Sequence, residues 1–412
     1  MKNLIKKFIP AFLLDFYHLS MVFSGALLYG FPGKNKGIKV IGVTGTSGKS
    51  TTVDLISRVL ENAGYKVASL STVRFKINEK EWENKLKMTM PGRMKIQKFL
   101  RKALNNKCEF VVMEVSSEGI RQNRHKFIDF DCAVFTNLSP EHIESHGSFE
   151  KYKGEKLKLF KTAKNIHVIN GDDKNADDFL NTGAKRKIVF GMKNSGEILA
   201  RSISLKPNGT SFSVENTAFN LNLLGEFNIY NALAAIAVSG AYGIDLKTCR
   251  KALESAKGIS GRMEIVLKDP FTIIVDYAHT PDQLESAYKA LSGSNLICVL
   301  GSCGGGRDKW KRPIMGKVAD KYCSRIIITN EDPYDEDPLS IINQVAKGIK
   351  AEKILDRKEA IRDAIKSAKP KDTVIITGKG SEPWMCVKNN KKIPWSDKNI
   401  AKEAADLLLG IK

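Results

Sequence analysis

The feature that most constrains the fold is a glycine-rich loop at residues 42–51, Gly-Val-Thr-Gly-Thr-Ser-Gly-Lys-Ser-Thr. An apolar run typical of a buried strand precedes it, and a stretch with helical periodicity follows it. Glycines at this point let backbone N–H groups surround a phosphate chain at the N-terminus of the helix. The loop therefore predicts a nucleotide-binding α/β fold.

The residues at the helix start make the prediction more specific. Lys49 can reach the β- and γ-phosphates, and the Ser50 hydroxyl can bind Mg²⁺. Val43 stands where the usual GxxxxGK[ST] spacing has its first glycine. A plain glycine turn between a strand and a helix would not require Lys-Ser-Thr at this position, so we predict ATP binding. The expected contacts are Gly45, Thr46, Ser47, Gly48, Lys49, Ser50 and Thr51.

Strand and helix patterns alternate along most of the chain. Strand-like runs at residues 38–43, 67–73, 110–115, 132–137 and 167–170 are separated by helical stretches, and the alternation restarts after residue 261. Such a pattern predicts mostly parallel sheets covered by helices. We expect an apolar N-terminal helical segment (1–36), a P-loop ATPase domain with a mostly parallel sheet (37–258) and a smaller Rossmann-like α/β domain (259–412).

Composition limits the classes of function. The chain has 412 residues and a formal net charge of +21, an excess that favours anionic partners such as nucleotides or anionic lipid. No RNP motif, zinc finger or stripe of aromatic and basic residues indicates nucleic acid, so we expect no nucleic-acid partner. Its seven scattered cysteines form no CxxC pair, which argues against a disulfide framework or a zinc ribbon and suits a reducing cytoplasm.

The sequence of the N-terminal segment (1–36) allows two arrangements. Residues 8–31 are apolar and flanked by lysines, but Pro10, Asp15 and His18 interrupt the run, which argues against a membrane-spanning helix. In one arrangement the segment is a helix at the cytoplasmic surface of a membrane. In the second it is a helix docked on the protein's own body or on a second subunit.

The loop resembles the TGTxGK[ST] loop of the Mur ligases, the ATP-dependent amide-forming enzymes of peptidoglycan synthesis. Further stretches match the family in chain order and resemble the MurE branch, which adds the third amino acid to a UDP-N-acetylmuramoyl-dipeptide. The matching stretches are residues 113–117, 135–138, 142–147, 154–156, 224–228, 261–264, 276–281 and 307–309. The resemblance implies ATP-dependent transfer of an amino acid to a peptide-type acceptor through an acyl phosphate.

The resemblance also implies a metal site. Glu114, at the end of a buried-looking strand, and His142 are expected to bind the second Mg²⁺ ion of the family near the triphosphate, since Mg²⁺ takes few protein ligands besides phosphates and water. Lys156 matches the lysine that family members carbamylate, which would place an anion beside the metal. From its lysine-rich surroundings alone, Lys156 is a solvated lysine on a helix. Glu155 stands where the family usually has alanine.

Residues near and after the expected linker complete the implied site. Asn228, Arg262 and Asp276 are expected at the nucleotide, although an interdomain ion pair is an alternative for Arg262 and Asp276. Arg307 is expected to bind the carboxylate of the incoming amino acid.

Two sequence motifs at the expected amino-acid site differ from those of the diaminopimelate-adding enzymes. Residues 331–334, Glu-Asp-Pro-Tyr, fall where those enzymes carry Asp-Asn-Pro-Arg, so Tyr334 replaces the arginine. Glu331 and Asp332 suit a cationic side chain such as that of lysine, with helix capping as an alternative. Residues 378–382 resemble Gly-Lys-Gly-His-Glu with Ser381 in place of histidine, and we expect Gly378 and Glu382 at the amino acid.

The family's tripeptide synthetases begin with a UDP-sugar domain, and because only 36 residues precede the expected ATPase domain, we expect that domain to be absent. A lipid-linked or free peptide acceptor is therefore an alternative to a UDP-linked one. The same motifs are compatible with poly-γ-glutamate, folylpolyglutamate or lipid-linked muropeptide amidating enzymes. A different class of function is a nucleotide-binding membrane adaptor without ligase chemistry.

Overall fold

The computed structural model describes residues 10–86, 88–193, 196–206 and 208–410, and in it the chain forms two α/β units. The first unit contains the larger sheet and the second contains the smaller one. Residues 255–263, between the last helix of the first unit and the first strand of the second, connect them. The α/β organisation expected from the sequence is confirmed.

The first sheet has eleven strands within the described residues, in the order β11-β10-β9-β8-β7-β6-β1-β5-β2-β3-β4. The strands from β9 through β8, β7, β6, β1 and β5 to β2 are parallel, and antiparallel hairpins extend both edges. The strands are β1 (Lys39–Thr44), β2 (Val67–Leu70), β3 (Arg74–Ile77), β4 (Lys80–Glu83), β5 (Phe110–Glu114), β6 (Phe130–Phe135), β7 (Ile166–Asn170), β8 (Arg186–Gly191), β9 (Ile198–Lys206), β10 (Gly209–Val214) and β11 (Thr217–Leu221).

Helices cover both faces of this sheet and make two separate cores. One core lies between the sheet and helices α2, α8 and α9, and the other lies between the sheet and helices α3 and α6. The helices of the first unit are α1 (Ala11–Leu28), α2 (Lys49–Asn62), α3 (Arg93–Asn105), α4 (Ser117–Arg121), α5 (Ile143–His146), α6 (Phe149–Thr162), α7 (Ala176–Leu180), α8 (Glu226–Ala241) and α9 (Leu246–Glu254).

The second sheet is smaller and has the order β12-β13-β17-β14-β15-β16, with β12 as its antiparallel edge. Its strands are β12 (Glu264–Leu267), β13 (Thr272–Val275), β14 (Leu296–Leu300), β15 (Arg325–Thr329), β16 (Glu352–Ile354) and β17 (Thr373–Ile376). A hairpin of β18 (Trp384–Val387) and β19 (Lys391–Pro394) follows. The helices are α10 (Pro281–Lys289), α11 (Lys311–Tyr322), α12 (Pro338–Val345), α13 (Arg357–Ser367) and α14 (Asp397–Leu409).

A buried ion pair fixes the strand ends of the second unit. Arg357 at the start of α13 donates two hydrogen bonds to Asp397 at the start of α14, and both side chains are fully buried. The same guanidinium donates to the Thr377 carbonyl, just after β17. The pair therefore holds the chain where it leaves β17 and approaches the first unit.

Helix α1 lies against the body of the first unit, mainly on α3. Asn123 donates a hydrogen bond to Asp15, and the rings of Phe23, Phe31 and Phe127 pack edge to face. This packing agrees with the docked arrangement of the segment. None of the helices within the described residues is long and apolar enough to cross a membrane.

The cysteine expectation was wrong in one respect, because Cys298 on β14 and Cys323 after α11 form a disulfide. No local pattern indicates the pairing, since the two positions are brought together only when α11 packs back beside the strand. Cys108, Cys132, Cys249 and Cys303 form no disulfide within the described residues.

Candidate active site

A cavity of about 760 Å³ lies where the two units meet. Loops that follow the carboxyl ends of β1, β5 and β6 form one side of it, and loops that follow β13, β15 and β17 form the other. Ligands of α/β proteins bind at such strand ends. The expected residues that line the cavity are Thr46, Ser47, Gly48, Lys49, Ser50, Thr51, Glu114, His142, Asn228, Arg262, Asp276, Arg307, Glu331, Asp332, Tyr334, Gly378 and Glu382.

The phosphate loop needs glycine at two positions. Gly45 has φ +153°, and a Cβ atom there would lie 1.9 Å from the Thr136 hydroxyl oxygen. Gly48 has φ +79°, and its Cβ would lie 2.3 Å from the Asn231 side-chain oxygen. Both side chains belong to neighbouring elements that enclose the loop, so any larger residue would push the loop open.

Glu114 organises the cation side of the loop. Its Oε2 accepts hydrogen bonds from the Ser50 hydroxyl (2.7 Å) and from the Thr72 backbone N–H (2.8 Å) and hydroxyl (2.9 Å). Its Oε1 lies 3.9 Å from Lys49 Nζ, which donates to the Thr46 carbonyl. A hydroxyl and a carboxylate thus converge beside the lysine, and these are the hard oxygen donors that Mg²⁺ prefers.

Lys156 lies beneath the loop and is 1% exposed, so its interpretation as a solvated lysine was wrong. Its Nζ donates to the Gly45 carbonyl over 2.7 Å. Burial, followed by the charge of Lys49, holds the pKa of Lys156 well below its usual range. The amine is therefore shifted toward the neutral form that reacts with carbon dioxide.

His142 stands at the start of α5 in a left-handed conformation, with φ +58°. Burial lowers its pKa to about 4, and the charges of Arg307 and Lys156 act in the same direction. The imidazole is therefore neutral near pH 7, which is the form that binds a metal. Among the described residues, no group of three or more His, Cys, Asp or Glu side chains surrounds a common point, so a metal here needs phosphate or water ligands as well.

The nucleotide-side residues of the second unit are held by local bonds. Asp276 accepts hydrogen bonds from the backbone N–H groups of Met263 and Ala278, each 2.7 Å long. The Arg262 guanidinium lies 4.1 Å from the centre of the Tyr277 ring. The contacts of these two residues therefore shape the loop before β12 and the loop after β13, and within the described residues neither of them forms an ion pair between the units.

Asn228 lies on the first unit at the same side of the cavity. On α8 it donates to the Leu224 carbonyl and accepts from Asn231. Asn231 in turn accepts from the Thr52 hydroxyl of α2. This chain of bonds fixes the start of α8 against the helix that follows the phosphate loop.

The amino-acid side carries a cluster of carboxylates. Lys379 Nζ lies between Asp332 Oδ1 (2.9 Å) and Glu382 Oε2 (2.6 Å). The two acids carry one more charge than the lysine between them. Asp332 also accepts from the Cys386 backbone N–H, which gives its carboxylate an internal structural role that the sequence did not indicate.

Glu331 differs from its neighbours. It is 1% exposed and its Oε1 accepts from the Cys303 thiol over 3.1 Å, while its Oε2 has no hydrogen-bond partner among the described residues. Burial raises the pKa of Cys303 well above its usual range, so the thiol keeps the proton that it donates. A buried carboxylate oxygen without a partner is costly, which favours a cationic ligand at this point.

Several polar contacts join the units around the cavity, and the sequence did not identify them. Gln283 donates to the Ser47 hydroxyl of the phosphate loop, His279 Nε2 lies 3.0 Å from Glu141 Oε1, and Asp308 accepts from backbone N–H groups of α5. His279 and Asp308 fall inside stretches that matched the family. Their motif positions were therefore a usable signal, whereas Glu141 and Gln283 carried none.

Comparison with known proteins agrees with this geometry. Sequence profiles of the Mur ligase middle domain and of the Mur ligase glutamate ligase domain match residues 43–239 and 261–380. The chain is 39% identical over 400 residues to a UDP-N-acetylmuramoyl-L-alanyl-D-glutamate–2,6-diaminopimelate ligase of Syntrophomonas wolfei, covering 93% of this chain and 80% of that one.

Solved structures extend the comparison. A UDP-N-acetylmuramoyl-L-alanyl-D-glutamate–2,6-diaminopimelate ligase is similar with a TM-score of 0.63 and 29% identity, over 90% of this chain and 79% of that one. A folylpolyglutamate synthase of Mycobacterium tuberculosis, solved with ADP and AMPPCP, has a TM-score of 0.73 at 16% identity over 95% of each chain, which shows the shared fold alone.

We predict that Lys156→Ala lowers turnover by about a hundredfold, with partial recovery in acetate. The reason is that the resemblance implies a carbamate on this amine, so the variant lacks an anion that acetate can replace. Lys158→Ala, on the exposed side of the same helix, is the control and should keep full turnover. ADP release with and without acetate measures the effect, and circular dichroism checks folding. Full activity of Lys156→Ala without acetate would contradict the prediction.

Proposed function

Because this chain belongs to the Mur ligase family, we propose that it adds an amino acid with a cationic side chain to a muramoyl-dipeptide type of acceptor. The chain is an ATP-dependent, ADP-forming amide ligase of peptide precursors, as its relatives are. The observation that carries the finer proposal is a cavity shared by Lys49 of the phosphate loop and by Arg307 and Glu331.

The proposed reaction has two steps across the cavity. A carboxylate oxygen of the acceptor attacks the γ-phosphorus of ATP, which breaks the bond to ADP and forms an acyl phosphate. The neutral amine of the amino acid then attacks the acyl carbon, phosphate leaves with the former carboxylate oxygen, and the amine loses a proton. Lys49, placed at the start of α2, offsets the charge on the phosphates during the first step.

Mg²⁺ is part of the proposal. Ser50, Glu114, His142 and the carbamate of Lys156 would hold it, and the bonded Ser50 and Glu114 oxygens fit a hard cation. Bound there, it would offset charge on the phosphate oxygens. Asn228, Arg262 and Asp276 line the same cavity and would contact the rest of the nucleotide.

The amino acid would be oriented by opposite charges at its two ends. Arg307 would bind the α-carboxylate, since its planar fork suits that group. The unpartnered oxygen of Glu331 would accept from the side-chain ammonium, with Gly378 and Glu382 beside it. Tyr334 offers no positive charge for a second carboxylate, which favours lysine over diaminopimelate.

Competing functions are less well supported. Curated relatives of this chain act on 2,6-diaminopimelate, whose distal carboxylate would face Tyr334 here. A folylpolyglutamate type of activity rests on fold likeness alone. A membrane adaptor without ligase chemistry does not account for the ligase relatives, or for the buried groups Lys156 and Glu331 at the site.

ADP release with UDP-N-acetylmuramoyl-L-alanyl-D-glutamate and either lysine or meso-diaminopimelate tests the proposal. We expect ADP release only when acceptor and amino acid are both present, and a kcat/KM at least about tenfold higher for lysine. Tyr334→Arg should shift the preference toward diaminopimelate, because it supplies the missing positive charge.

Lys49→Ala should abolish turnover in a folded protein, whereas Lys39→Ala at the other end of β1 should not.

Two results would contradict the proposal at different levels. Preference of the unaltered protein for diaminopimelate would mean that another basic residue binds the distal carboxylate, and the amino-acid assignment would fall. ADP release that ignores both acceptor and amino acid would remove the acceptor assignment as well.

We also propose that α1 contacts an anionic membrane surface that carries a lipid-linked acceptor. Leu13, Phe16 and Leu27 of α1 are exposed, and α3, on which α1 packs, carries exposed lysines. Such a mixture of apolar and basic groups suits an anionic lipid surface. The helix also lies close to the cavity, since Asn123, which bonds to Asp15, sits between two cavity residues in the chain.

Co-sedimentation with phosphatidylglycerol vesicles tests this contact. We expect Phe16→Glu combined with Leu27→Glu to release most of the bound protein at low salt, because the exposed apolar groups become charged. Leu407→Glu with Leu408→Glu, which alters exposed leucines of α14, is the matched control. Equal binding of the α1 variant and the unaltered protein would refute the membrane contact.

A further inference from the structure

The segment after His142 is held in place from the other unit. The backbone N–H groups of Ile143 (3.3 Å) and Glu144 (2.9 Å) donate to the two carboxylate oxygens of Asp308, which is 4% exposed. Helix α5, which begins at Ile143, has no side-chain cap from its own N-cap residue, His142. Asp308 therefore satisfies N–H groups that this N-cap leaves without a partner.

The contact is reciprocal. The backbone N–H of Lys309 donates to Glu144 Oε1 over 2.8 Å, so each segment offers a carboxylate to the backbone of the other. This exchange has the logic of a capping box, in which two side chains satisfy each other's backbone groups. In a capping box both partners lie on one helix, whereas here they lie on different α/β units.

The hydrogen bonds between Asp308, Lys309 and α5 lie next to residues from two parts of the cavity wall. Asp308 directly follows Arg307, the residue proposed for the α-carboxylate, and Ile143 directly follows His142, which lines the nucleotide side. His142 holds a left-handed backbone conformation, which is unfavourable for a non-glycine residue and needs support from its surroundings. The bonds to Asp308 supply that support one and two residues further on.

Because Asp308 is buried where the two units meet, its hydrogen bonds to α5 form only when the units are in contact. When the units separate, the Asp308 carboxylate and the N–H groups of α5 return to water and no longer fix one another. The conformation of the His142 segment and the closed arrangement of the units should therefore form together.

We propose that Asp308 is a positioning residue that couples closure of the two units to the placement of His142. This inference rests on the proposed function in one respect, namely that His142 serves the nucleotide side of the reaction. Its structural part, the dependence of closure on Asp308, does not rest on the amino acid or the acceptor.

The test compares four variants with the unaltered protein. Asp308→Ala removes both acceptors, and Asp308→Asn keeps one acceptor oxygen without the charge. Glu144→Ala removes the acceptor of the hydrogen bond from the Lys309 N–H. Because the Glu144 side chain is exposed, this variant should fold normally. Lys309→Ala is the control, because its backbone N–H remains and its exposed side chain extends toward Glu336, away from α5.

Two measurements are made on each variant. Steady-state ADP release with UDP-N-acetylmuramoyl-L-alanyl-D-glutamate and lysine should show kcat lowered by about ten- to a hundredfold for Asp308→Ala, with KM for ATP changed less than about threefold. Asp308→Asn should recover part of the loss, and Glu144→Ala should show a smaller one. Small-angle scattering with AMPPCP should show a larger radius of gyration for Asp308→Ala than for Lys309→Ala.

The outcomes separate this inference from the proposed function. Unchanged kcat and an unchanged radius of gyration in Asp308→Ala would overturn the inference, and so would equal losses in Asp308→Ala and Lys309→Ala. If the unaltered protein showed no amino-acid-dependent ADP release, the proposed function would fail, and the scattering comparison would still decide whether Asp308 controls closure.

Discussion

The contact between the two α/β units forms the cavity on which the proposed chemistry depends, and it combines apolar packing by Leu224 and Phe227 with a few polar bonds. Each sheet has its own hydrophobic cores, and the cavity lies between the strand ends of both. Gln283 reaches the phosphate loop, His279 meets Glu141, and Asp308 holds α5. An acyl phosphate reacts with water, so a reaction of this type needs a site that closes.

Charge is divided between the two sides of the cavity. On the phosphate side, Lys49 lies next to Glu114, while burial moves Lys156 toward its neutral form by lowering its pKa. On the amino-acid side, Lys379 lies between Asp332 and Glu382, and Glu331, the residue before Asp332, keeps an oxygen without a partner in the described part of the chain. The first side thus suits a polyanion and the second suits a cation. On the proposed function, ATP and a basic amino acid would therefore bind at opposite ends of the cavity.

Local patterns in the sequence were enough to predict the α/β fold and the phosphate loop. The run at residues 38–43 became β1, and Gly45 and Gly48 of the loop adopt backbone angles that only glycine takes easily. The short strands β3, β4 and β16 were not predicted, because edge strands of three or four residues carry too few residues to show a period.

The properties that depend on distant packing could not be predicted in the same way. Lys156 sits among lysines in the sequence, and only the fold buries it beneath the Gly45 carbonyl. Asp332 and Glu331 are neighbours with similar chemistry, yet Lys379 bonds to the first and not to the second. The bonds of Asp308 span more than 160 residues of sequence, and no local pattern marks them.

An isotope experiment that follows one oxygen atom tests whether this cavity forms an amide through an acyl phosphate. UDP-N-acetylmuramoyl-L-alanyl-D-glutamate labelled with ¹⁸O in its glutamate carboxylates is incubated with ATP, lysine and the enzyme, and the released phosphate is analysed by mass spectrometry. We expect one ¹⁸O atom in each phosphate, because the leaving phosphate carries the former carboxylate oxygen. Unlabelled phosphate, with the ¹⁸O atom that the carboxylate loses recovered in AMP or in water instead, would contradict the proposed reaction.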